Sequence, residues 1–61
     1  MIKLTNAVEQ YDDQPLLLNE DFIVSVYGTV DEKDNYISVI YSSIQQTWFV
    51  KETVEQIFEM M

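Results

Sequence analysis

The chain has 61 residues, of which 11 are aspartate or glutamate and three are lysine, so its formal net charge at pH 7 is −8. It contains no cysteine, histidine or arginine, which excludes disulfide bonds, zinc–thiolate sites, histidine general bases and bidentate arginine clamps on phosphate. The negative charge would repel a nucleic-acid backbone and an anionic membrane surface. We therefore expect no catalytic residues, no metal, no cofactor, no direct nucleic-acid binding and no membrane insertion.

The length predicts one domain, covering residues 1–61. Apolar residues make up 48% of the chain, a proportion typical of globular proteins. A chain this short buries only about 60% of its unfolded surface, so we expect a free energy of unfolding of only a few kcal/mol. No apolar run approaches the roughly 20 residues that span a bilayer, and the first residues lack the long apolar stretch of a signal peptide. The expected location is cytoplasmic.

The first third of the chain predicts a strand followed by polar turns. Within residues 1–5, Ile2 and Leu4 alternate with Lys3 and Thr5, which is the period of a strand. Residues 9–15 are polar, include the single proline and predict a loop or hairpin end. Residues 16–18 form an apolar run too short for a helix. Residues 19–21 predict a turn, because asparagine and aspartate side chains bond the backbone two residues on.

The middle of the chain predicts a hairpin and a further strand. Residues 22–30 are rich in β-branched and aromatic types and predict a strand in which Gly28 marks a bulge or bend. Residues 31–35 predict an exposed turn, and residues 36–41 predict the returning strand. The turn resembles a calcium loop but lacks that loop's central glycine and its final glutamate, so we expect no bound metal. Residues 47–50 predict the last strand.

The final residues change to the period of a helix. Thr53 and Gln56 fit a capping box at the start of a helix over residues 54–61. Its apolar face consists of Val54, Ile57, Phe58 and Met61. A helix of two turns is unstable alone, so we expect it to pack on the sheet through Ile57 and Phe58. If the ring is buried, Phe58→Ala should cost roughly 3–5 kcal/mol.

Together these elements predict an α+β fold. A small curled antiparallel sheet of four to five strands would pack against one C-terminal helix. A small SH3-like barrel closed by that helix is the alternative arrangement of the same elements.

Two sets of side chains are candidates for binding a partner. If Phe49 and Phe58 point inward, strand alternation turns Trp48 outward, where it would form a binding or self-association patch with Tyr36 or Tyr41. The alternative is that the chain's own loops cover Trp48. The second set is Glu52, Glu55 and Glu59, which share the face of the helical segment opposite its apolar face. These carboxylates would attract a basic protein or mimic a nucleic acid, or they would serve only solubility.

Four segments resemble the FlbD/SwrD family of small flagellar and swarming-motility proteins. They are MIKLT at residues 1–5, LNEDFI at 18–23, ISVI at 37–40 and WFVKETVEQI at 48–57. The resemblance implies a strand, an asparagine turn, two strands, and then a strand leading into a capped helix. It implies no catalytic residues, since the family is not known as enzymatic. The chain departs from the family pattern by a longer segment at residues 6–15 and by a hairpin at residues 42–46 that contains neither glycine nor lysine.

Three functions follow as hypotheses. The first is a non-enzymatic accessory or regulatory protein that binds another protein, with a role in motility implied by the resemblance. The second is a phage-type acidic inhibitor or nucleic-acid mimic that binds a basic host protein, consistent with a phage-encoded relative of the family. The third is a structural homo-oligomer formed through exposed sheet edges.

Overall fold

The computed structural model describes the backbone of residues 1–61 and every side chain except that of Glu9. The strands are β1 (Ile2–Thr5), β2 (Pro15–Leu18), β3 (Ile23–Val30), β4 (Tyr36–Ser42) and β5 (Thr47–Val50), and the helix is α1 (Val54–Met60). Short 3-10 turns cover Glu9–Tyr11 and Glu20–Phe22. Strands β1 and β2 form one antiparallel sheet, and β3, β4 and β5 form a second in that order.

The predicted α+β class, antiparallel pairing and C-terminal helix are confirmed, but the prediction of a single curled sheet is wrong. The five strands form two sheets, and the described residues form no closed barrel. The sheets meet at an isolated bridge between Asn6 and Val50, flanked by bonds from Ala7 N to Phe49 O and from Lys51 N to Thr5 O, both 2.9 Å. On its other side Asn6 donates its N–H to Gln14 O at 2.9 Å and its carbonyl oxygen accepts from Asp13 N at 3.1 Å, so its backbone groups bond within the connection between β1 and β2.

The hydrophobic core lies where the two sheets and the helix meet. Its buried members are Ile2, Leu4, Leu18, Ile40, Val50 and Ile57, with Leu16, Ile23, Val26 and Trp48 packed against them. Leu18 pairs with Ile2 across the first sheet, which places both side chains on its inner face. Strand β3 contributes only partly buried residues, because it lies at the edge of the second sheet.

The two predicted turns are confirmed, but the bulge lies elsewhere than predicted. Asn19 Oδ1 accepts a hydrogen bond from Asp21 N at 3.0 Å. The irregularity in β3 falls between Ile23 and Ser25, so Gly28 is not a bulge. Gly28 instead makes room for the ring of Tyr36, since a Cβ atom at position 28 would lie 2.0 Å from the Tyr36 hydroxyl oxygen.

The helix cap is confirmed, whereas the predicted packing of Phe58 is wrong. Thr53 Oγ1 accepts from Gln56 N at 3.1 Å, and Gln56 Oε1 accepts from Thr53 N at 2.9 Å. Ile57 is 1% exposed and enters the core, but Phe58 is 75% exposed. Consecutive residues of a helix point about 100° apart, so a helix that centres Ile57 on a small core turns Phe58 towards solvent.

Candidate functional site

Trp48 does not form the outward patch that the sequence predicts. Val50 is fully buried and pairs with Ser38, while Trp48 pairs with Ile40, so Trp48 and Val50 both face the core. Alternation then turns Phe49 outward. The prediction is wrong because Trp48 and Phe49 are both large and apolar, and the alternation of side chains along a strand does not say which of the two faces inward.

The two tyrosines of the predicted patch lie on opposite faces of the second sheet. Tyr36 extends across Gly28 on the side that carries Ser38 and Ile40. Tyr41 lies on the outer side, where its ring meets that of Tyr27 edge to face, with centroids 5.6 Å apart and planes at 74°. The structure therefore separates Tyr41 from Trp48 and Tyr36.

The outer side of β3–β4–β5 carries a different apolar patch, which we call the aromatic face. It consists of Tyr27, Ile37, Val39, Tyr41 and Phe49. Val39 pairs with Tyr27 on one side and Phe49 on the other, which sets these three side chains in one row across the sheet. Ile37 and Val39 are only 7% and 8% exposed, whereas the three aromatic residues are exposed. The aliphatic floor is thus covered by aromatic side chains of the same sheet.

An open groove of about 1020 Å³ runs over this face. Ile37, Val39 and Phe49 contribute apolar lining, and Asp31 and Glu32 of the β3–β4 hairpin contribute carboxylates. Further lining comes from the connection after β1 and from the end of β5. The groove combines an apolar floor with charged walls, an arrangement typical of sites that bind proteins or peptides.

Lys51 at this groove is already paired. Its Nζ lies 3.1 Å from Asp12 Oδ1 and 2.5 Å from Asp13 Oδ1. The hydrogen bonds that Lys51 donates, first to Asp13 and then to Asp12, raise the pKa of Lys51 above its ordinary value. The pairing connects the loop after β1 to the end of β5. Lys51 stays charged, but the two carboxylates balance its charge, so it is a poor site for an anionic partner.

The hairpin tip holds its aspartate in ionised form. Asp31 Oδ1 accepts from Asn35 N at 2.9 Å and from Lys33 N at 2.8 Å. These bonds, with that from Asn35 the largest, lower the pKa of Asp31 below its ordinary value. The tip therefore presents at the groove a fixed negative charge on Asp31, the carboxylate of Glu32 and the ammonium group of Lys33.

The predicted stripe of Glu52, Glu55 and Glu59 is not formed, because Glu52 precedes the helix and turns towards β1. Its Oε1 accepts from Thr5 N and its Oε2 accepts from Thr5 Oγ1, both at 2.9 Å. Its backbone oxygen accepts from Ser38 Oγ at 2.7 Å. Glu52 is a structural residue that sequence reasoning missed, since its partner lies 47 positions away. Glu55 and Glu59 are exposed on α1.

Among the described residues, no three acidic side chains gather in a geometry that could hold a metal ion. The one helix of the described chain is too short to cross a membrane. One sequence pattern points to the aromatic face in hindsight: β4 carries Ile37, Val39 and Tyr41 at alternate positions and Ile40 on the other side. A strand that is apolar in both registers is covered on both faces or presents one of them to a partner.

Comparison with known proteins yields no match: no protein family, no curated protein and no solved structure resembles this chain at a significant level. The resemblance to the FlbD/SwrD family therefore stays a prediction.

Proposed function

We propose that this chain is a non-enzymatic accessory or regulatory protein that binds another protein through the aromatic face. The observation that carries the proposal is the exposure of Tyr27, Tyr41 and Phe49 together on the side of the sheet opposite the core. Aromatic side chains provide large and rigid contact areas and are enriched where binding energy concentrates. Exposed apolar clusters of this kind on small soluble domains mark interaction sites.

The partner that best fits this face is a basic protein. The chain carries a net charge of −8, and Asp31 and Glu32 lie beside the apolar floor of the groove. A partner surface with an apolar centre and surrounding lysine or arginine would complement both features. Long-range attraction would speed the encounter, and salt would weaken it.

The three hypotheses drawn from the sequence receive unequal support. A role in motility rests on the FlbD/SwrD resemblance alone. A nucleic-acid mimic needs a continuous acidic surface, and the bonding of Glu52 to Thr5 removes one member of the predicted stripe. A homo-oligomer through exposed sheet edges would bring two chains of charge −8 together, and this repulsion favours a basic partner instead.

A binding experiment with matched variants tests the proposal. The immobilised protein is exposed to a lysate of the cells that produce it, and retained proteins are compared with those retained by a Tyr41→Thr, Phe49→Thr double variant. Threonine keeps the β propensity of these positions. Phe58→Ser is the control, because it removes an exposed aromatic ring from the helix instead.

The proposal expects a specific basic protein that wild type and Phe58→Ser retain and that the face variant releases. Retention by all three proteins alike, or retention of none, would contradict it. Trp48 fluorescence and circular dichroism establish that each variant is folded before the comparison is made.

A further inference from the structure

Strand β3 is an edge strand of the second sheet, and the helix α1 contacts part of it. In the part of the chain that the structure describes, β3 pairs with β4 on one side and with no strand on the other. No hydrogen bond besides this ladder involves the backbone of residues 24–30 among the described contacts. An edge strand leaves alternate N–H and C=O groups unpaired and directed outward. Val24 and Val30 are 68% and 58% exposed, so side chains at both ends of the edge are also accessible.

This edge lacks most of the features by which proteins protect such strands. Edge strands are commonly kept short or interrupted by lysine, proline or inward-pointing charges. Strand β3 has eight residues, IVSVYGTV, and none of them is charged or proline. The bulge between Ile23 and Ser25 disturbs only its beginning, which leaves residues 25–30 in regular register with β4. A strand of this composition can accept a further strand.

Carboxylates lie at both ends of the uncharged edge. Asp21 precedes β3, and Asp31 and Glu32 follow it. Asp34 adds a third carboxylate to the hairpin tip, where Lys33 is the one cation. The net charge is therefore negative at each end of a neutral strand.

We propose that the β3 edge accepts an extended segment of the partner protein, which adds as a further antiparallel or parallel strand. The segment that fits has β-branched or apolar residues at its centre and lysine or arginine at each end. This inference rests on the proposed function and names a second contact of the same partner. Main-chain hydrogen bonds would give the affinity, and the terminal charges would select basic segments.

A second copy of this chain fits the edge less well. Two β3 strands paired in an antiparallel orientation would bring Asp21 of one copy towards Asp31 and Glu32 of the other. Parallel pairing would set each carboxylate beside its own counterpart. Either arrangement places like charges together, and this is unfavourable across a sheet.

Hydrogen exchange measured by NMR with a defined probe tests the inference. The probe is a peptide of alternating valine and threonine with two lysines at each end. One control peptide has glutamates at its ends, and another has a central proline that cannot join the ladder. We expect the lysine peptide to protect alternate amides within residues 24–30, and the two control peptides to leave them unprotected.

Charge variants give a matched comparison. Asp21→Asn with Glu32→Gln should weaken binding of the lysine peptide by about two- to fivefold per charge at low salt. Glu55→Gln with Glu59→Gln changes the net charge equally but lies on the helix, and it should leave the affinity nearly unchanged. Equal weakening by both pairs would show general attraction to an acidic protein and would overturn the proposed position.

Three further results would overturn the inference: no protection of β3 amides, equal protection by the proline peptide, or protection without peptide in a protein that sediments as a dimer. The last result would assign the edge to a second copy. The Tyr41→Thr, Phe49→Thr variant should still bind the peptide at the edge. Loss of the edge contact therefore leaves the proposed function of the aromatic face to be judged by its own experiment.

Discussion

Glu52 ties the C-terminal segment to the first strand, and its replacement should cost the domain much of its stability. Its two carboxylate oxygens accept hydrogen bonds from the N–H and the hydroxyl of Thr5, each at 2.9 Å. Its backbone oxygen independently accepts from Ser38. A side-chain substitution thus removes the contacts to Thr5 and leaves the contact to Ser38 in place.

The expected loss follows from the number and type of these bonds. A hydrogen bond to a charged group contributes about 1.5–3 kcal/mol when buried, and less where solvent reaches the group, as it does at this part-buried site. We expect Glu52→Ala to lower the free energy of unfolding by about 2–3 kcal/mol. For a domain of this size the corresponding fall in melting temperature is about 10–20 °C. Glu52→Gln keeps an acceptor for Thr5 N and should cost only about 1 kcal/mol.

Thermal unfolding followed by circular dichroism measures these effects, and two comparisons isolate the bonds. Glu55→Ala removes an equal charge from an exposed position and should change stability by no more than about 0.5 kcal/mol. Thr5→Val removes the hydroxyl, and a double-mutant cycle with Glu52→Ala should give a coupling energy of about 1 kcal/mol. If Glu52→Ala and Glu55→Ala have the same melting temperature, the hydrogen bonds between Glu52 and Thr5 do not stabilise the fold.

Three other predictions follow from the structure. Ile57→Ala should lower the free energy of unfolding by about 2–5 kcal/mol, whereas Phe58→Ala should change it by less than about 0.5 kcal/mol in a denaturant titration; equal effects would place the helix wrongly. Gln45 has a φ of 62°, so Gln45→Gly should raise stability by about 0.5–1 kcal/mol, and a lower melting temperature would count against this hairpin geometry. The lowered pKa of Asp31 means that its contribution to stability is present above the ordinary value of 3.8 and is lost as pH falls through the lower folded value. An NMR titration of its carboxyl should give a midpoint below 3.8, with the Asn35 amide moving in parallel, and a midpoint at or above 3.8 would refute the bond.

Local sequence features predict the secondary structure well, because each depends on neighbouring residues. The capping box of Thr53 and Gln56 needs only a spacing of three, and the Asn19 turn needs only a spacing of two. The apolar run at residues 16–18, too short for a helix, belongs to the second strand, which starts at Pro15, a position where a strand tolerates proline.

The candidate site is harder to predict from the sequence than the secondary structure, because it depends on which face of each strand or helix turns inward. Trp48 and Phe49 are both large and apolar, so alternation leaves two solutions, and the burial of Val50 decides between them. Ile57 and Phe58 present the same ambiguity on the helix. Contacts between distant residues, such as that of Glu52 with Thr5, leave no periodic pattern in the sequence.

The most direct test of the proposed function is to record methyl NMR spectra of the protein alone and with the basic partner that the binding experiment retains. The account predicts that the methyl resonances of Ile37 and Val39 shift or broaden on binding. The methyl groups of Met60 and Met61 serve as the comparison, because they are exposed at the end of the helix. They lie close in sequence to Phe58, the exposed aromatic residue that is the alternative binding position. Changes confined to these methionines, with Ile37 and Val39 unmoved, would contradict the account and assign binding to the helix.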